Sequence, residues 1–325
     1  MNLPMINDIE GAAARIAGYA VRTPLIENPA LNERTGGRIL LKAETLQRTG
    51  SFKFRGAFNF LSKIPVTQRA NGVVAYSSGN HAQGVAASAQ LLGVPATIVM
   101  PADAPAIKID NTRSYGATVV TYNRIQEDRA AIAQEIAERE GATIVPPYDH
   151  PWTIAGQGTV GLEIASQCAD LGAVPDAVLV CCGGGGLTAG TAMALADRMP
   201  CTKVYPVEPA DYDDTKRSLA SGQRVVNDMK TSSICDALLA PTPGEITFTA
   251  MQSLGLTGLS ANDEEVREAV AYAWRVLKLV VEPGGAVTLA AILSGRIDCY
   301  GKTIAATLSG GNVDAKTFKE CLNDG

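Results

Sequence analysis

The chain has 325 residues, 46% of them hydrophobic and 19% charged, which is enough to bury the core of one large domain or two ordinary ones. Its net charge of -5 argues against a nucleic-acid partner, because no strongly basic stretch offsets the acids. The sequence lacks the run of about 18 apolar residues that a transmembrane helix needs. Residues 1–10 also lack the pattern of a secretory signal, so we expect a cytoplasmic protein with no membrane partner.

The cysteine and histidine content limits the metal chemistry. The seven cysteines are scattered without Cys-x2-Cys spacing, so we expect reduced core residues rather than a zinc site. His81 and His150 are the only two histidines in the sequence. This excludes a histidine-rich centre, and any metal is therefore expected to have oxygen ligands.

Between residues 72 and 147, apolar β-rich runs alternate with helical patterns. The runs cover residues 72–76, 96–100, 117–122 and 142–145, and the helical patterns cover 81–92, 106–115 and 125–140. Gly93, Gly116 and Gly141 follow the helices, where a left-handed residue often ends a helix. Apolar strands separated by single helices indicate parallel pairing with both faces buried, so this part is predicted to be a compact α/β unit.

The second half repeats this alternation with longer connections. We predict strands over 177–182, 203–207 and 303–308, and helices over 187–199 and 263–279. The polar segment 208–245 is too long for an ordinary connection and is therefore expected to be functional. Ligands of such folds bind beyond the carboxyl ends of the strands, where the glycine-rich segments lie.

Four consecutive glycines, Gly183, Gly184, Gly185 and Gly186, stand between a predicted strand and a predicted helix. Their amides can converge on an anion at the positive end of the helix dipole. The segment lacks the Gly-Lys-Ser/Thr ending of a triphosphate loop and the Gly-x-Gly-x-x-Gly pattern of a dinucleotide loop. We therefore favour an anion site over a simple tight turn.

Lys53 is flanked by Phe52 and Phe54. An apolar setting lowers the pKa of a lysine and leaves a neutral amine for imine formation. Taken alone, however, a lysine between aromatic residues is more often an ordinary side chain with its stem buried.

A polar turn, Ser77, Ser78, Gly79, Asn80 and His81, joins a predicted strand to a predicted helix. Its hydroxyl, amide and backbone groups suit a carboxylate or a ring oxygen. Simple helix capping by Ser78 or Asn80 is the alternative, and both roles are compatible. His81 is as readily structural as catalytic.

Acidic side chains cluster after the strand predicted over 203–207. Glu208, Asp211, Asp213 and Asp214 have the oxygen ligands that Mg²⁺ or Ca²⁺ prefers. The spacing alone favours a solvated acidic turn over a metal site.

Six motifs occur in a fixed order: Ser-Phe-Lys-Phe-Arg-Gly (51–56), Ser-Ser-Gly-Asn-His (77–81), Ala-Gly-Gln-Gly-Thr (155–159), the four glycines, Glu-Pro (282–283) and Ser-Gly-Gly-Asn (309–312). Together they resemble the serine/threonine dehydratase and serine racemase family of fold-type II pyridoxal-phosphate enzymes. The resemblance runs from about residue 22 to residue 314.

The resemblance implies a two-lobed α/β fold in which each lobe is a mostly parallel twisted sheet flanked by helices. A large cofactor-binding domain would comprise residues 1–71 and 150–325, and a small mobile domain residues 72–149. A homodimer is also expected. Because the sequence ends soon after residue 312, we expect no allosteric domain like that of biosynthetic threonine dehydratases.

The resemblance also assigns cofactor roles. Lys53 would bind pyridoxal 5'-phosphate as a Schiff base, with Phe52 beside the ring and Asn80 bonded to its 3′ oxygen. Ser309 would face the pyridine nitrogen as a neutral partner that tempers the electron sink. The four glycines, Gly183, Gly184, Gly185 and Gly186, would cradle the phosphate.

For the substrate, the resemblance implies that Ser77, Ser78, Gly79, Asn80 and His81 hold the carboxylate. Ser78 would be a second acid/base, opposite Lys53.

For the metal, the resemblance implies a divalent cation (Mg²⁺, Mn²⁺ or Ca²⁺) held by Glu208, Asp214 and the carbonyl of Tyr212. This cation would order the segment 208–245. The resemblance therefore favours a metal site, whereas the spacing alone favoured a solvated turn.

Two positions depart from the family pattern and leave the substrate open. Ala237 stands where members usually have glycine, and His150 stands where the usual run is Asp-Asp-Pro. We expect a lyase that converts L-serine, L-threonine or a related 3-hydroxy amino acid to a 2-oxo acid and ammonia, with racemisation as a competing outcome.

Three other functions stay open. A 3-hydroxyaspartate dehydratase, giving oxaloacetate and ammonia, needs an extra cation such as Arg129 or another basic residue. A β-replacement enzyme such as cysteine synthase lacks a readable signature here. A non-catalytic nucleotide-binding module would use only the glycine loop.

Overall fold

The structure is a computed structural model that describes residues 3–77, 79–104, 106–123, 125–228 and 231–323, without the side chains of residues 106 and 107. The strands in these ranges are β1 (Leu25–Glu27), β2 (Arg38–Ala43), β3 (Val73–Tyr76), β4 (Ala96–Pro101), β5 (Thr118–Tyr122), β6 (Thr143–Ile144), β7 (Ala177–Cys181), β8 (Lys203–Pro209), β9 (Leu259–Ala261) and β10 (Thr303–Leu308). The α-helices are α1 (Ile6–Ile16), α2 (Pro29–Thr35), α3 (Lys53–Ser62), α4 (Val66–Arg69), α5 (Asn80–Leu92), α6 (Ala106–Ser114), α7 (Arg129–Glu140), α8 (Pro151–Asp170), α9 (Gly186–Arg198), α10 (Asp214–Ser221), α11 (Glu245–Ser253), α12 (Asp263–Tyr272), α13 (Pro283–Leu293) and α14 (Ala315–Asn323).

The first lobe contains a four-stranded sheet in the order β5-β4-β3-β6, and every pair in it is parallel. Alternate residues of its strands enter two apolar cores, so both faces are buried: Val73 and Ala75 on one side, Val74 on the other. Gly93 and Gly141 end α5 and α7 with φ angles of 64° and 65°, the left-handed conformation that glycine adopts most easily. The predicted α/β unit is confirmed.

The second lobe contains a six-stranded sheet in the order β1-β2-β10-β7-β8-β9. Only the edge pair β1–β2 is antiparallel among the described strands. Leu179 and Val178 point into different cores on the two faces, as expected for a mostly parallel sheet covered by helices. The sequence-based fold class, two lobes with mostly parallel sheets, is therefore confirmed.

Some predicted boundaries were wrong. The helix predicted over 125–140 begins at Arg129, because the Asp128 side chain accepts from the amide of Ala130 at 2.8 Å and caps it. The helix predicted over 263–279 stops at Tyr272 and continues as a π turn that ends at Lys278, whose φ is 60°. Strand β8 extends to Pro209, so Glu208 lies within the strand.

The seven cysteines are all free, and six of them are buried, as expected for reduced core residues, whereas Cys201 is exposed. In the part of the chain that the structure describes, no helix has the length and apolar character needed to cross a membrane.

Glycines allow α8 to contact the two helices that carry the site. A Cβ on Gly156 would lie 2.6 Å from Cα of Gly56 in α3, and one on Gly158 would lie 2.8 Å from the carbonyl oxygen of Gly190 in α9. Neither position has room for a side chain. The Ala-Gly-Gln-Gly-Thr motif is therefore a helix-packing element that fixes α3 and α9 relative to one another.

Candidate active site

The loops that follow strands β3, β7 and β10 converge beside the start of α3. Ser51 pairs with Gly310 in an isolated antiparallel bridge, and the amide of Phe52 donates to the carbonyl of Ser309 at 3.1 Å. The turn before α3 is therefore fixed to the end of the central strand β10.

Lys53 begins α3, and its Nζ donates to the carbonyl oxygen of Pro147 at 2.8 Å. Nζ also lies 5.2 Å from the ring centroid of Phe52. Burial lowers the pKa of Lys53 to about 8, although the nearby Glu282 carboxylate opposes this shift. Near neutral pH, about a tenth of the side chain population is therefore the neutral amine that imine formation requires.

The glycine loop has the features of a phosphate cradle. Among the described residues, none accepts a hydrogen bond from the amides of Gly183, Gly184, Gly185 or Gly186. Gly185 has a φ of 91°, and α9 begins at Gly186. Free amides at a helix start favour an anion, so these residues fit the phosphate of the cofactor.

Tyr148 borders this loop and was missed by the sequence-based reasoning. A Cβ on Gly184 would lie 2.5 Å from its ring, and one on Gly186 would lie 3.0 Å from its Cβ. Burial raises the pKa of the Tyr148 phenol, so its hydroxyl stays protonated. Only its position two residues before His150, in a stretch that departs from the family pattern, marked it in the sequence.

A hydrogen-bonded network joins Asn80 to the other lobe. Its Nδ2 donates to Oε1 of Glu282 at 2.6 Å, and its Oδ1 accepts from Nδ2 of Asn312 at 2.7 Å. Burial raises the pKa of the Glu282 carboxyl to about 7. Asn80 is therefore held in place beside Lys53, where its amide could also meet a cofactor oxygen.

The start of α5 is open to a ligand. Gly79 is the N-cap without a side-chain cap, and a Cβ added to it would meet no atom within 4 Å. The proposed capping by Asn80 is therefore wrong, because Asn80 is already the first helical residue. Ser77 accepts from the amide of Gly79 at 3.2 Å. Ser78 lies outside the described residues.

His81 is a structural residue in this arrangement. Its Nε2 lies 2.9 Å from the carbonyl oxygen of Val145, and burial lowers its pKa to about 3. The imidazole is therefore neutral over the physiological range.

Ser309 ends strand β10 and is only 4% exposed. Its hydroxyl has no hydrogen-bond partner in the described ranges, so it remains available to a ring nitrogen. Phe52, next to Lys53, is thus hydrogen-bonded to Ser309, and Asn80 is hydrogen-bonded to Glu282, whose charge acts on Lys53.

The predicted metal ligands lie behind the glycine loop. Glu208 and Asp214 are fully buried, and burial raises both carboxyl pKa values, that of Asp214 to about 7. Oδ2 of Asp214 has no hydrogen-bond partner among the described residues. An unpaired buried carboxylate oxygen next to a second buried acid fits a divalent cation. Asp213 instead pairs with Arg217 at 2.7 Å.

The two departures from the family pattern have different structural roles. The His150 ring accepts a hydrogen bond from the amide of Trp152 at 3.1 Å and so caps the start of α8. Its role is therefore to stabilise this helix. Ala237 lies close to Gly284: a Cβ there would be 3.2 Å from that of Ala237.

A buried ionic cluster anchors α3 and was not anticipated. Arg55 binds both carboxylate oxygens of Glu44 at 2.8 Å and Oε1 of Glu163 at 2.7 Å. Lys42 donates to Glu163 at 2.6 Å. The cluster pairs two cations with two anions, so its charges are compensated in the interior.

Comparisons with known proteins agree with this geometry. Residues 16–310 match the family model described as "Pyridoxal-phosphate dependent enzyme". The chain is 43% identical over 322 residues to an L-threo-3-hydroxyaspartate ammonia-lyase of Pseudomonas sp., covering 99% of each sequence. It is 39% identical to a serine racemase of Schizosaccharomyces pombe, covering 99% of this chain and 98% of that one.

A solved structure of a T.th. threonine deaminase superposes with a TM-score of 0.90 at 42% identity, covering 96% of this chain and 99% of that one. The chain therefore belongs to the family of pyridoxal-phosphate-dependent enzymes and has the fold of their fold-type II members. Within that family it is an enzyme of the serine/threonine dehydratase type.

Proposed function

We propose that this enzyme is an ammonia-lyase that converts L-serine, L-threonine or a related 3-hydroxy amino acid to a 2-oxo acid and ammonia. The observation that carries the proposal is the position of Lys53. Its amine has a pKa of about 8 and donates a hydrogen bond to the carbonyl of Pro147. Pro147 precedes Tyr148, whose side chain packs on the glycine loop.

Bound pyridoxal phosphate supplies an aldehyde that captures amines and a ring that accepts negative charge from Cα. Lys53 would attach the cofactor, and its released amine would then take the Cα proton of the substrate. Ser309, a neutral partner, would leave the ring nitrogen unprotonated. The amides of the four glycines would hold the phosphate, with Phe52 beside the ring and Asn80 on its 3′ oxygen.

The open start of α5 would bind the substrate carboxylate through the segment 77–81. The hydroxyl of Ser78 would serve as the acid/base on the face opposite Lys53. Return of a proton from that side would give racemisation in competition with loss of the β-hydroxyl.

Glu208, Asp214 and the carbonyl of Tyr212 would hold a divalent cation (Mg²⁺, Mn²⁺ or Ca²⁺) that stabilises the segment 208–245. The division into residues 1–71 plus 150–325 and a mobile domain of residues 72–149 stays a prediction. The same holds for the homodimer and for the cytoplasmic location.

The test compares Lys53→Ala with wild type and with Lys63→Ala, which changes a lysine at the other end of α3. We expect Lys53→Ala to lose both the visible absorption of the bound cofactor and 2-oxo acid formation, while Lys63→Ala keeps both. Unchanged absorption in Lys53→Ala, or a wild-type protein that is colourless and binds nucleotides, would contradict the proposal.

A second candidate is 3-hydroxyaspartate dehydration, giving oxaloacetate and ammonia. The relative from Pseudomonas sp. carries that activity in its name. The guanidinium of Arg129 lies 5.7 Å from the ring centroid of Tyr76, the residue before the 77–81 segment. Comparing turnover of L-serine, L-threonine and both 3-hydroxyaspartate diastereomers, with product chirality measured and with and without chelator, decides between the candidates.

A further inference from the structure

Lys108 in α6 forms an ion pair with a residue of the other lobe. Its Nζ lies 2.7 Å from Oδ2 of Asp236, which begins a turn in the segment 208–245. The two side chains differ in accessibility, because that of Lys108 is 12% exposed and that of Asp236 is 57% exposed. A largely buried ammonium is thus paired with a carboxylate that solvent reaches.

The turn that carries Asp236 packs on the active-site loops. A Cβ on Gly183 would lie 3.1 Å from Cα of Leu238, and one on Gly284 would lie 3.2 Å from Cβ of Ala237. Gly183 opens the glycine loop, and Gly284 lies two residues after Glu282. The ion pair therefore lies close to the glycine loop and to the acid beside Lys53.

The charge of Lys108 also acts on the acid beside Lys53. The positive charges of Lys108 and Lys53 both lower the pKa of Glu282, and the negative charge of Asp236 raises it. Arg129 has no comparable position, since it is exposed and its guanidinium lies over Tyr76. Lys108 is therefore the better-placed cation for a negatively charged substrate group.

Solvent reaches the Asp236 side of this ion pair and screens it, so the pair contributes little net stability. Exchanging the Asp236 carboxylate for a ligand carboxylate therefore costs little, because the buried ammonium stays paired throughout. The carboxylate of Asp236 forms the same ion pair with Lys108 that a substrate carboxylate would form. Serine and threonine have no second carboxylate, so the exchange distinguishes dicarboxylic substrates from them.

We propose that Lys108 binds the distal carboxylate of a dicarboxylic 3-hydroxy amino acid, with Asp236 released from the ion pair as the substrate enters. This inference rests on the proposed function and selects its substrate class. Lys108 is a specificity-determining residue in this scheme, and Asp236 competes with the substrate for it.

The probe is L-aspartate, which has both carboxylates and no β-hydroxyl to eliminate. It is titrated into the holoenzyme, and binding is followed by calorimetry and by the absorption of the bound cofactor. Lys108→Met is expected to weaken L-aspartate binding by about tenfold or more. Asp236→Asn is expected to tighten it, because the competing carboxylate is gone. Lys108→Arg keeps the cation and should retain most of the affinity.

Lys302→Met is the matched control, since it removes another lysine–aspartate ion pair, that of Lys302 with Asp298 at 2.6 Å. It should change L-aspartate binding by less than about twofold. L-serine kcat/KM should fall by a smaller factor than L-aspartate affinity in Lys108→Met, because serine has no second carboxylate for Lys108 to bind. This readout separates specificity from structural damage.

If the ion pair only held the two segments together, both Lys108→Met and Asp236→Asn would weaken L-aspartate binding. Opposite effects of the two variants on L-aspartate affinity therefore support the proposal. Equal L-aspartate affinity in wild type and Lys108→Met, or no L-aspartate binding by wild type, overturns the inference while serine turnover still supports the proposed function. If wild type turns over none of the 3-hydroxy amino acids, the proposed function fails, and the titration still decides whether Lys108 recognises a second carboxylate.

Discussion

Oε1 of Glu282 accepts a 2.6 Å hydrogen bond from Nδ2 of Asn80, although the two residues are 202 positions apart. Asn80 begins α5, after the first strand of the four-stranded sheet, and Glu282 is the N-cap of α13, which packs in the core of the six-stranded sheet. The bond therefore joins the two lobes beside Lys53. It also keeps a titratable carboxyl next to the reactive amine.

Replacing Glu282 with glutamine should lower the pKa of Lys53. The carboxylate raises that pKa, and burial alone would set it below its present value of about 8. Since only the neutral amine forms an imine, capture of pyridoxal phosphate by the cofactor-free protein should accelerate as the pH rises through the Lys53 pKa. We expect this rise at lower pH in Glu282→Gln.

Stopped-flow absorbance at a series of pH values measures the shift. Glu245→Gln, which alters an exposed acid at the start of α11, is the control and should leave the profile in place. A Glu282→Gln profile that coincides with that of wild type would show that the carboxylate does not act on Lys53.

Replacing Gly184 with alanine should weaken cofactor binding. The added Cβ would lie 2.5 Å from the ring of Tyr148, and the ring must move away. Overpacking of this kind costs about 1–3 kcal/mol, which corresponds to about 5- to 150-fold in the cofactor dissociation constant. Equilibrium titration of the cofactor-free protein measures the change. Gly11→Ala in α1, where the added carbon meets only the flexible end of Arg15, should bind the cofactor like wild type.

His81 should make stability depend on pH. Its pKa is about 3 in the folded chain against 6.5 for a free histidine, so below pH 6.5 only the unfolded state takes up its proton. The free energy of unfolding therefore falls as the pH drops below 6.5. Between pH 6.5 and pH 5, the contribution of this side chain is about 2 kcal/mol.

In His81→Gln that contribution disappears, so the loss of stability between pH 7 and pH 5 should be smaller than in wild type by about 2 kcal/mol. Urea unfolding at the two pH values checks it. His150→Gln is the control. Burial also lowers the pKa of that half-buried imidazole, but without a large shift, so this variant should change the pH dependence of stability less than His81→Gln does. Equal pH dependence in wild type and His81→Gln would show that His81 titrates normally.

Asp214→Asn should abolish the stabilisation that a divalent cation gives. Its carboxylate is buried, and Oδ2 has no partner among the described residues, so a bound cation would stabilise the wild type by supplying one. Thermal unfolding with chelator and with Mg²⁺, Mn²⁺ or Ca²⁺ measures the effect. Asp211→Asn, at an exposed acid of the same turn, should respond like wild type. A wild type that none of the three cations stabilises would contradict the metal assignment.

Between residues 72 and 147, local patterns were sufficient to predict the alternation of strands and helices. Buried parallel strands are continuous apolar runs, and Gly93 and Gly141 mark helix ends because few other residues adopt their left-handed conformation. The same local logic found the glycine loop, which directly follows β7. The boundary errors came from residues outside the periodic pattern, such as Asp128, whose side chain begins α7 later than the apolar spacing suggests.

Contacts between distant segments could not be predicted from local sequence patterns. The carboxylate of Asp149 accepts hydrogen bonds from the amides of Glu245, Ile246 and Thr247 at 2.8, 2.9 and 3.2 Å. Asp149 therefore caps α11, although it lies 96 residues before Glu245 in the chain. No local pattern encodes this cap. Thr247 in turn donates to the carbonyl of Gly184 at 2.8 Å, so the cap helps to hold the glycine loop.

The sequence by itself determined the α/β class and the order of the motifs, because these depend on residue type and near-neighbour spacing. The resemblance carried by these motifs predicted Lys53 as the amine of interest. Only the tertiary structure decided the surroundings that set its chemistry: the Pro147 carbonyl at 2.8 Å, the opposing charge of Glu282, and the burial that brings its pKa to about 8. Desolvation and through-space charge depend on which distant segments surround a group, and the chain order does not specify them.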